Sequence, residues 1–405
     1  MSSGDKRRKS FGVVLKTVER CNINCTYCYM FNMDDKTYLN RPVYISTETI
    51  QAVARFLKKG CQELKIEHLV LEIHGGEPLM QGKSEFDYMC SYFETELKDT
   101  VEIEFVMQTN GMLLDDEWLK LVRKYHIGFG MSLDGPKEYH DKYRIDKLGK
   151  GTYDRVVSKL KYVQSSELMY GFPHKVGVLS VINPTFDAKK IYRHFVDDLK
   201  LIYFDFLTPF STHHHTLDYP IEAYGKFLCD LFDEWIGDNN PKIEIRFLRS
   251  VMNNFFGKNS LIYGVGPANS KDLPLISIAS NGDLSPTDEL RSIGDGSVVF
   301  TGATVSNTNL GLFLKADIFG KLQIAQESLP DDCQICCWKK VCAGGSIVNR
   351  FKNGNFNNSS IYCSGLKMLY RRIATYISEN GYGPTDIARM LGINAPERSA
   401  VALGA

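Results

Sequence analysis

Cys21-Asn22-Ile23-Asn24-Cys25-Thr26-Tyr27-Cys28 is a CxxxCxxC run that directly follows the strand-like apolar stretch 11–18. A short loop lets all three sulfurs converge on one face, and three thiolates at that spacing hold three corners of a [4Fe–4S] cube. The fourth iron is left without a protein ligand, so a small chelating molecule can bind there and receive an electron. The plainer reading is three buried or disulfide-bonded cysteines. The tight spacing, the Tyr27 just before the last Cys and the lack of a secretory signal favour a ligand pattern.

The chain of 405 residues, 43% hydrophobic, is long enough for one barrel-sized domain and a smaller one. Lys+Arg 48 balances Asp+Glu 48, so overall charge supports neither a nucleic-acid partner nor a membrane surface. No run of eighteen apolar residues marks a spanning helix. The eleven cysteines are clustered, and the N-terminus is polar and basic with no apolar core behind it. This usage points to the reducing cytoplasm.

From 11 to 207 the chain alternates strand-like and helix-like runs. Strands are expected over 11–18, 68–73, 101–107, 127–133, 176–182 and 201–207, and helices over 46–59, 84–97, 115–125, 152–165 and 187–199. Ser46 before Glu48 and Asp115 before Glu117 are N-cap signals. Six βα repeats of this length predict parallel strands with right-handed crossovers, an α/β partial TIM-like (β/α)6 barrel. Chemistry in such barrels sits at the C-terminal ends of the strands, where the cysteine loop falls.

The other strand ends agree. His74-Gly75-Gly76-Glu77-Pro78 follows strand two, Gln108-Thr109-Asn110-Gly111 strand three, and Ser132-Leu133-Asp134-Gly135 strand four. Paired glycines permit close backbone approach, and Glu77 offers an acceptor to an ammonium. CxxxCxxC after the first strand and GGEP after the second resemble the radical SAM superfamily. The resemblance implies that Cys21, Cys25 and Cys28 hold a [4Fe–4S] cluster and that Gly75, Gly76, Glu77 and Pro78 contact the methionine moiety of S-adenosylmethionine (SAM). It also implies that Tyr27, Gln108, Asn110 and Ser132 line the cofactor pocket. Arg144, ten residues beyond Asp134, would pair with the SAM carboxylate through its bidentate fork; otherwise it is a solvated surface arginine.

After 207 the repeat stops. A bridging region over 208–260 holds His213-His214-His215, expected to face substrate, and an amphipathic helix from 219 to 235. Cys61, Cys90 and Cys229 read as small buried hydrophobes. The region 261–375 carries Cys333-x2-Cys336-Cys337-x4-Cys342-Ala343-Gly344-Gly345-Ser346 and then Cys363, a spacing that fits zinc and iron–sulfur equally. Joined to the barrel, it resembles the SPASM extension of enzymes that modify ribosomally made peptides. That implies an auxiliary [4Fe–4S] cluster on Cys333, Cys336, Cys342 and Cys363. The family's second auxiliary cluster would need cysteines where this chain has Thr287 and Ser346, and none occurs between 230 and 332, so one auxiliary cluster is expected. The hairpin 275–284 keeps its Asn281-Gly282 turn. Asp288 stands where sulfatase-maturing relatives carry a catalytic acid; as a carboxylate near the barrel mouth it would take up a proton, and otherwise it is a surface turn residue. A tail, 376–405, has no readable role.

The resemblance implies a radical SAM enzyme that abstracts hydrogen from a precursor peptide, with a flavodoxin or ferredoxin as reductant. The sequence CNINCTYCYMFN and the one-cluster pattern are most similar to cyclophane-forming maturases, which join an aromatic ring carbon to a side-chain Cβ. Thioether formation, epimerisation and sulfatase maturation are the alternatives, the last disfavoured by the missing cysteines. A non-catalytic iron–sulfur or zinc module would leave Gly75–Pro78 and the βα repeat unexplained. With so few residues before 11, a leader peptide is expected to bind the enzyme body or a partner.

Overall fold

The computed structural model describes residues 9–173, 176–215, 217–260, 262, 266, 274–296 and 299–393. The basic N-terminal residues 1–8 and the last part of the expected tail lie outside the described residues. Six strands appear where the apolar runs place them: β1 Ser10–Val18, β2 His68–Gly75, β3 Glu102–Thr109, β4 Gly128–Ser132, β5 Gly177–Val181 and β6 Tyr203–Leu207. They pair in chain order and all in parallel. Strand β2 shows why one face is core and the other is lumen. Leu69, Leu71 and Ile73 are fully buried against helices, while Val70, Glu72 and His74 alternate with them on the inner face.

The expected helices are α1 Thr47–Leu64, α2 Lys83–Leu97, α3 Asp116–Lys124, α4 Tyr153–Ser165 and α5 Ala188–Arg193. Ser46 accepts from the Thr49 N–H at 3.2 Å and Asp115 from the Trp118 N–H at 2.9 Å, so both N-cap signals hold. The run 187–199 is helical throughout, but after Arg193 it widens into a π-turn, His194–Asp198. Cys61 and Cys90 are core residues.

The sheet does not stop at six strands. A seventh parallel strand, β7 Glu244–Ile245, pairs with β6, and the hairpin β8 Ile276–Ile278 and β9 Leu284–Pro286 joins the opposite edge. Strand β8 runs parallel to β1, with Ser277 opposite Val14, and β9 returns antiparallel to it. The hairpin signal was legible, but its pairing with β1 was not, because the two are separated by about 260 residues of chain. Gly282, with φ +85, makes the turn. Beyond β6, α6 Ile221–Gly237 and α7 Arg246–Phe255 lead on to α8 Cys363–Glu379. A Cβ on Gly225 would lie 2.7 Å from the Gly365 Cα, so α6 and α8 touch backbone to backbone. That contact fixes the helix whose first residue is Cys363. No helix among the described residues is long and apolar enough to cross a membrane.

Candidate active site

The cysteine loop springs from the C-terminal end of β1. The short strand Ile23–Cys25 pairs antiparallel with Arg144–Asp146, which sets Arg144 directly opposite Cys25. The stem rests on the glycines after β2. Gly76 N–H donates to the Val18 carbonyl (2.7 Å) and Glu77 N–H to that of Arg20 (3.0 Å). A Cβ on Gly76 would fall 2.1 Å from the Arg20 oxygen, and one on Gly75, at φ +151, 2.3 Å from the Val18 oxygen. The two glycines are therefore required for loop and strand to meet. Pro78 is buried at the start of a short turn.

Glu77 is 1% exposed and is held by the Leu79 N–H, the Thr109 hydroxyl and the Asn110 N–H at 2.6–3.0 Å. Burial pushes its carboxyl up to about 7, against those three hydrogen bonds. Asn110 donates to Asn22 Oδ1 (2.7 Å) and lies 3.8 Å from Cys21 Sγ, and Gln108 donates to the Ser132 hydroxyl (2.9 Å). These expected cofactor residues thus stand at adjoining strand ends beside the cysteine loop.

Arg144 is no surface residue. Its Nε donates to Asp134 Oδ2 at 2.8 Å, and its Nη1 lies 3.7 Å from Cys25 Sγ. The Tyr27 hydroxyl donates to the same Asp134 oxygen, and the guanidinium lies 5.4 Å from the Tyr27 ring centroid. Asp134 Oδ1 accepts from the Val181 N–H (3.0 Å), tying this cluster to β5.

All three thiols of the loop are free. Burial, with the Glu77 charge adding to it, pushes Cys21 up to about 12. Burial likewise takes Cys25 up to about 11 and raises Cys28. Ionising such thiols needs positive charge beside them, which an iron cluster supplies, so the donor set fits the cluster. Among the described residues no three His, Cys, Asp or Glu side chains close to the spacing of one ion's shell. A cube places each thiolate on its own iron, so its ligand sulfurs stand apart.

Asp288 is not a surface turn residue: it is 5% exposed and lies inside the barrel. Lys16 of β1, wholly buried, donates to Asp288 Oδ2 at 2.5 Å and reaches His74 Nδ1 at 2.9 Å. The Tyr29 hydroxyl donates to the same carboxylate oxygen and Ser277 Oγ to the other (3.4 Å). Burial favours a neutral Asp288, but the Lys16 ammonium and Arg291 guanidinium outweigh it and hold the carboxyl well below the usual range. Burial pulls Lys16 down against that attraction, and burial with the Lys16 charge presses His74 down to about 3. Sequence reasoning missed Lys16, Tyr29 and His74. A lone lysine in the apolar run of β1, two positions from Val14 on the inner face, was the available signal.

Four of the C-terminal cysteines lie within electrostatic reach of one another. Cys333 feels the charges of Cys363 and Cys336, and Cys342 those of Cys363 and Cys333, while exposed Cys337 stands outside the group. The three histidines diverge. His213 Nε2 lies 2.8 Å from the Ser359 carbonyl, His214 Nε2 accepts from the Asn353 N–H (3.0 Å), and His215 Nδ1 accepts from the Thr212 N–H (3.1 Å). The first two, both exposed, pin their loop to the 353–359 segment.

The radical SAM superfamily matches residues 15–185. A cysteine-type anaerobic sulfatase-maturating enzyme of Clostridium novyi is 24% identical over 90% of this chain and 95% of its own. A serine-type enzyme of Bacteroides thetaiotaomicron is 23% identical over 88% and 87%. In fold the chain is similar to anSMEcpe, solved with AdoMet, with TM-score 0.76 and 20% identity over 91% of this chain and 98% of that one. It is similar also to SuiB of Streptococcus suis, solved with S-adenosylmethionine, with TM-score 0.58 and 17% identity over 88% and 77%. The radical SAM match thus covers residues 15–185, and the chain is an enzyme of radical-mediated redox chemistry, similar along most of its length to anaerobic sulfatase-maturating enzymes.

Proposed function

We propose that this enzyme binds SAM at a [4Fe–4S] cluster held by Cys21, Cys25 and Cys28 and oxidises a side chain of a peptide or protein substrate. The observation that carries the reading is the convergence at one barrel mouth of three free thiols, the close-packed Gly75-Gly76 pair and the anionic Asp288. With SAM bound and one electron supplied, such a cluster provides an organic radical able to take a hydrogen atom from an unactivated C–H bond. Gly75 and Gly76 bring backbone up to the loop, and Glu77 and Asn110 fix its flank. Arg144 and Asp134 hold Tyr27 in place. Asp288, kept ionised by Lys16 and Arg291, accepts the proton that a substrate radical sheds when it is oxidised. The net loss is two hydrogens, one as an atom and one as a proton with its electron. Cys333, Cys336, Cys342 and Cys363 would hold an auxiliary [4Fe–4S] cluster, a one-electron carrier by its chemistry. A flavodoxin or ferredoxin as donor and a cytoplasmic setting belong to the same proposal.

The relatives favour oxidation of a single side chain, as in sulfatase maturation, over the cyclophane crosslink that the cysteine pattern suggests. The crosslink stays as a second reading because Thr287 and Ser346 occupy positions where the fuller SPASM pattern has cysteines. The test is anaerobic incubation of the reconstituted, reduced enzyme with SAM and two peptides. One carries a sulfatase-type serine or cysteine and the other a repeated aromatic motif. A carbonyl on one side chain supports the first reading, and a new bond between two residues, with about 2 Da lost, supports the second. Normal SAM cleavage by Cys25→Ala would sink both.

A further inference from the structure

Arg350 ends the short turn Val348–Arg350 and is 1% exposed. Its Nη2 donates to the Ala325 carbonyl at 2.7 Å and its Nε to that of Asn358 at 3.1 Å. Among the described residues no carboxylate forms an ion pair with it, and the groups whose negative charge reaches it, once they ionise on a metal, are Cys333 and Cys342. A guanidinium buried on carbonyls alone costs several kcal/mol unless a negative charge lies close by. Room is made for it: Gly344, at φ +88, would carry a Cβ only 3.0 Å from Arg350 Nη1. On α8 a second cation stands one turn beyond Cys363. The charge of Lys367 is coupled first to Cys363, and to Cys336 and Cys333 as well. Buried Tyr370, a further turn along the same face, brings its hydroxyl into the range of Cys342.

We infer that Arg350, Lys367 and Tyr370 are positioning residues that raise the reduction potential of the auxiliary cluster on Cys333, Cys336, Cys342 and Cys363, making it an electron acceptor. Four thiolates give the site net negative charge, and one added electron makes it more negative. Cations and hydrogen bonds at the sulfurs therefore favour the reduced form. The anionic cluster is in turn the counter-charge that Arg350 lacks. The inference rests on the proposed reading of these four cysteines as a redox site.

The test uses the full chain, reconstituted anaerobically, with Cys21, Cys25 and Cys28 replaced by Ala so that the auxiliary signal stands alone. Midpoint potentials are read by electron paramagnetic resonance during redox titration. Arg350→Gln should shift the reduction equilibrium at least tenfold toward the oxidised form, ~59 mV more negative for a one-electron couple. Lys367→Gln, at an exposed position where folding is not at stake, should shift it the same way by less. Unchanged potential in Lys367→Gln and in a folded, iron-loaded Arg350→Gln overturns the inference. Zinc, or no metal, in the parent protein overturns the underlying cluster reading instead.

Discussion

Replacing Lys16 by Met removes an ammonium from the middle of β1 and keeps an unbranched side chain of similar length. Asp288, 5% exposed, is then left with the Tyr29 and Ser277 hydroxyls as its donors. Removing one partner of a buried ion pair costs ~3–5 kcal/mol, whereas replacing both by apolar residues of similar size is about neutral. Lys16→Met should therefore lower the unfolding free energy by about 3 kcal/mol, and Asp288→Leu by a similar amount. The double variant should fall well short of the sum, leaving a coupling of at least ~2 kcal/mol in guanidinium chloride curves. The pH dependence follows from Asp288. Its folded value is depressed, so its stabilisation is full above the unfolded carboxylate value and is lost as pH falls through the folded one. In Lys16→Met, burial is opposed by the Arg291 guanidinium without the ammonium, so the folded value rises from its depressed position. The variant's deficit is then full above that raised value and shrinks as pH falls through it toward the wild-type value, so the gap to wild type narrows on acidification. Additive single effects, or a gap that ignores pH, would refute the buried charged pair.

Gly76→Ala places a Cβ 2.1 Å from the Arg20 carbonyl oxygen, so the stem of the cysteine loop must move. SAM cleavage should fall at least tenfold, and an active variant would show that the close approach is dispensable. Iron analysis separates the C-terminal cysteines: Cys337→Ser should keep roughly eight irons and Cys363→Ser about four. A total near twelve in wild type would reveal a third cluster on non-cysteine ligands. Asp288→Asn should slow product formation at least tenfold more than SAM cleavage, and equal slowing of both would leave Asp288 a structural role.

The barrel was legible because its signals are local. Each strand is an apolar run, several helices carry a cap, and the glycine pair and Glu77 lie at or just after the end of their strand. The cysteine spacing was equally plain, since a ligand set is written as spacing, but it left open whether Cys337 replaces a neighbour, and Cys337 is the exposed one of these cysteines. Less legible was anything that needed two distant segments to meet. The β8–β9 hairpin was visible as a hairpin, yet nothing in its residues says that Ser277 lies opposite Val14. The role of Arg144 is similar. Its position ten residues after Asp134 suggested a carboxylate partner in the cofactor, but the fold brings Asp134 itself to its Nε at 2.8 Å.

The amino-acid sequence by itself determined the parallel barrel, the two cysteine sets and the glycine pair, because backbone periodicity, turn chemistry and metal ligation act over a few residues. Tertiary structure decided which charges share the barrel interior and the auxiliary site. Lys16 and Asp288 are 272 residues apart in the chain and 2.5 Å apart in space. Arg350 finds no carboxylate among the described residues and sits instead beside Cys333 and Cys342. Buried charges are costly unless paired, so their partners are chosen by the packing of the whole chain, and that choice sets Asp288 as an anion and the C-terminal thiols within reach of a cation.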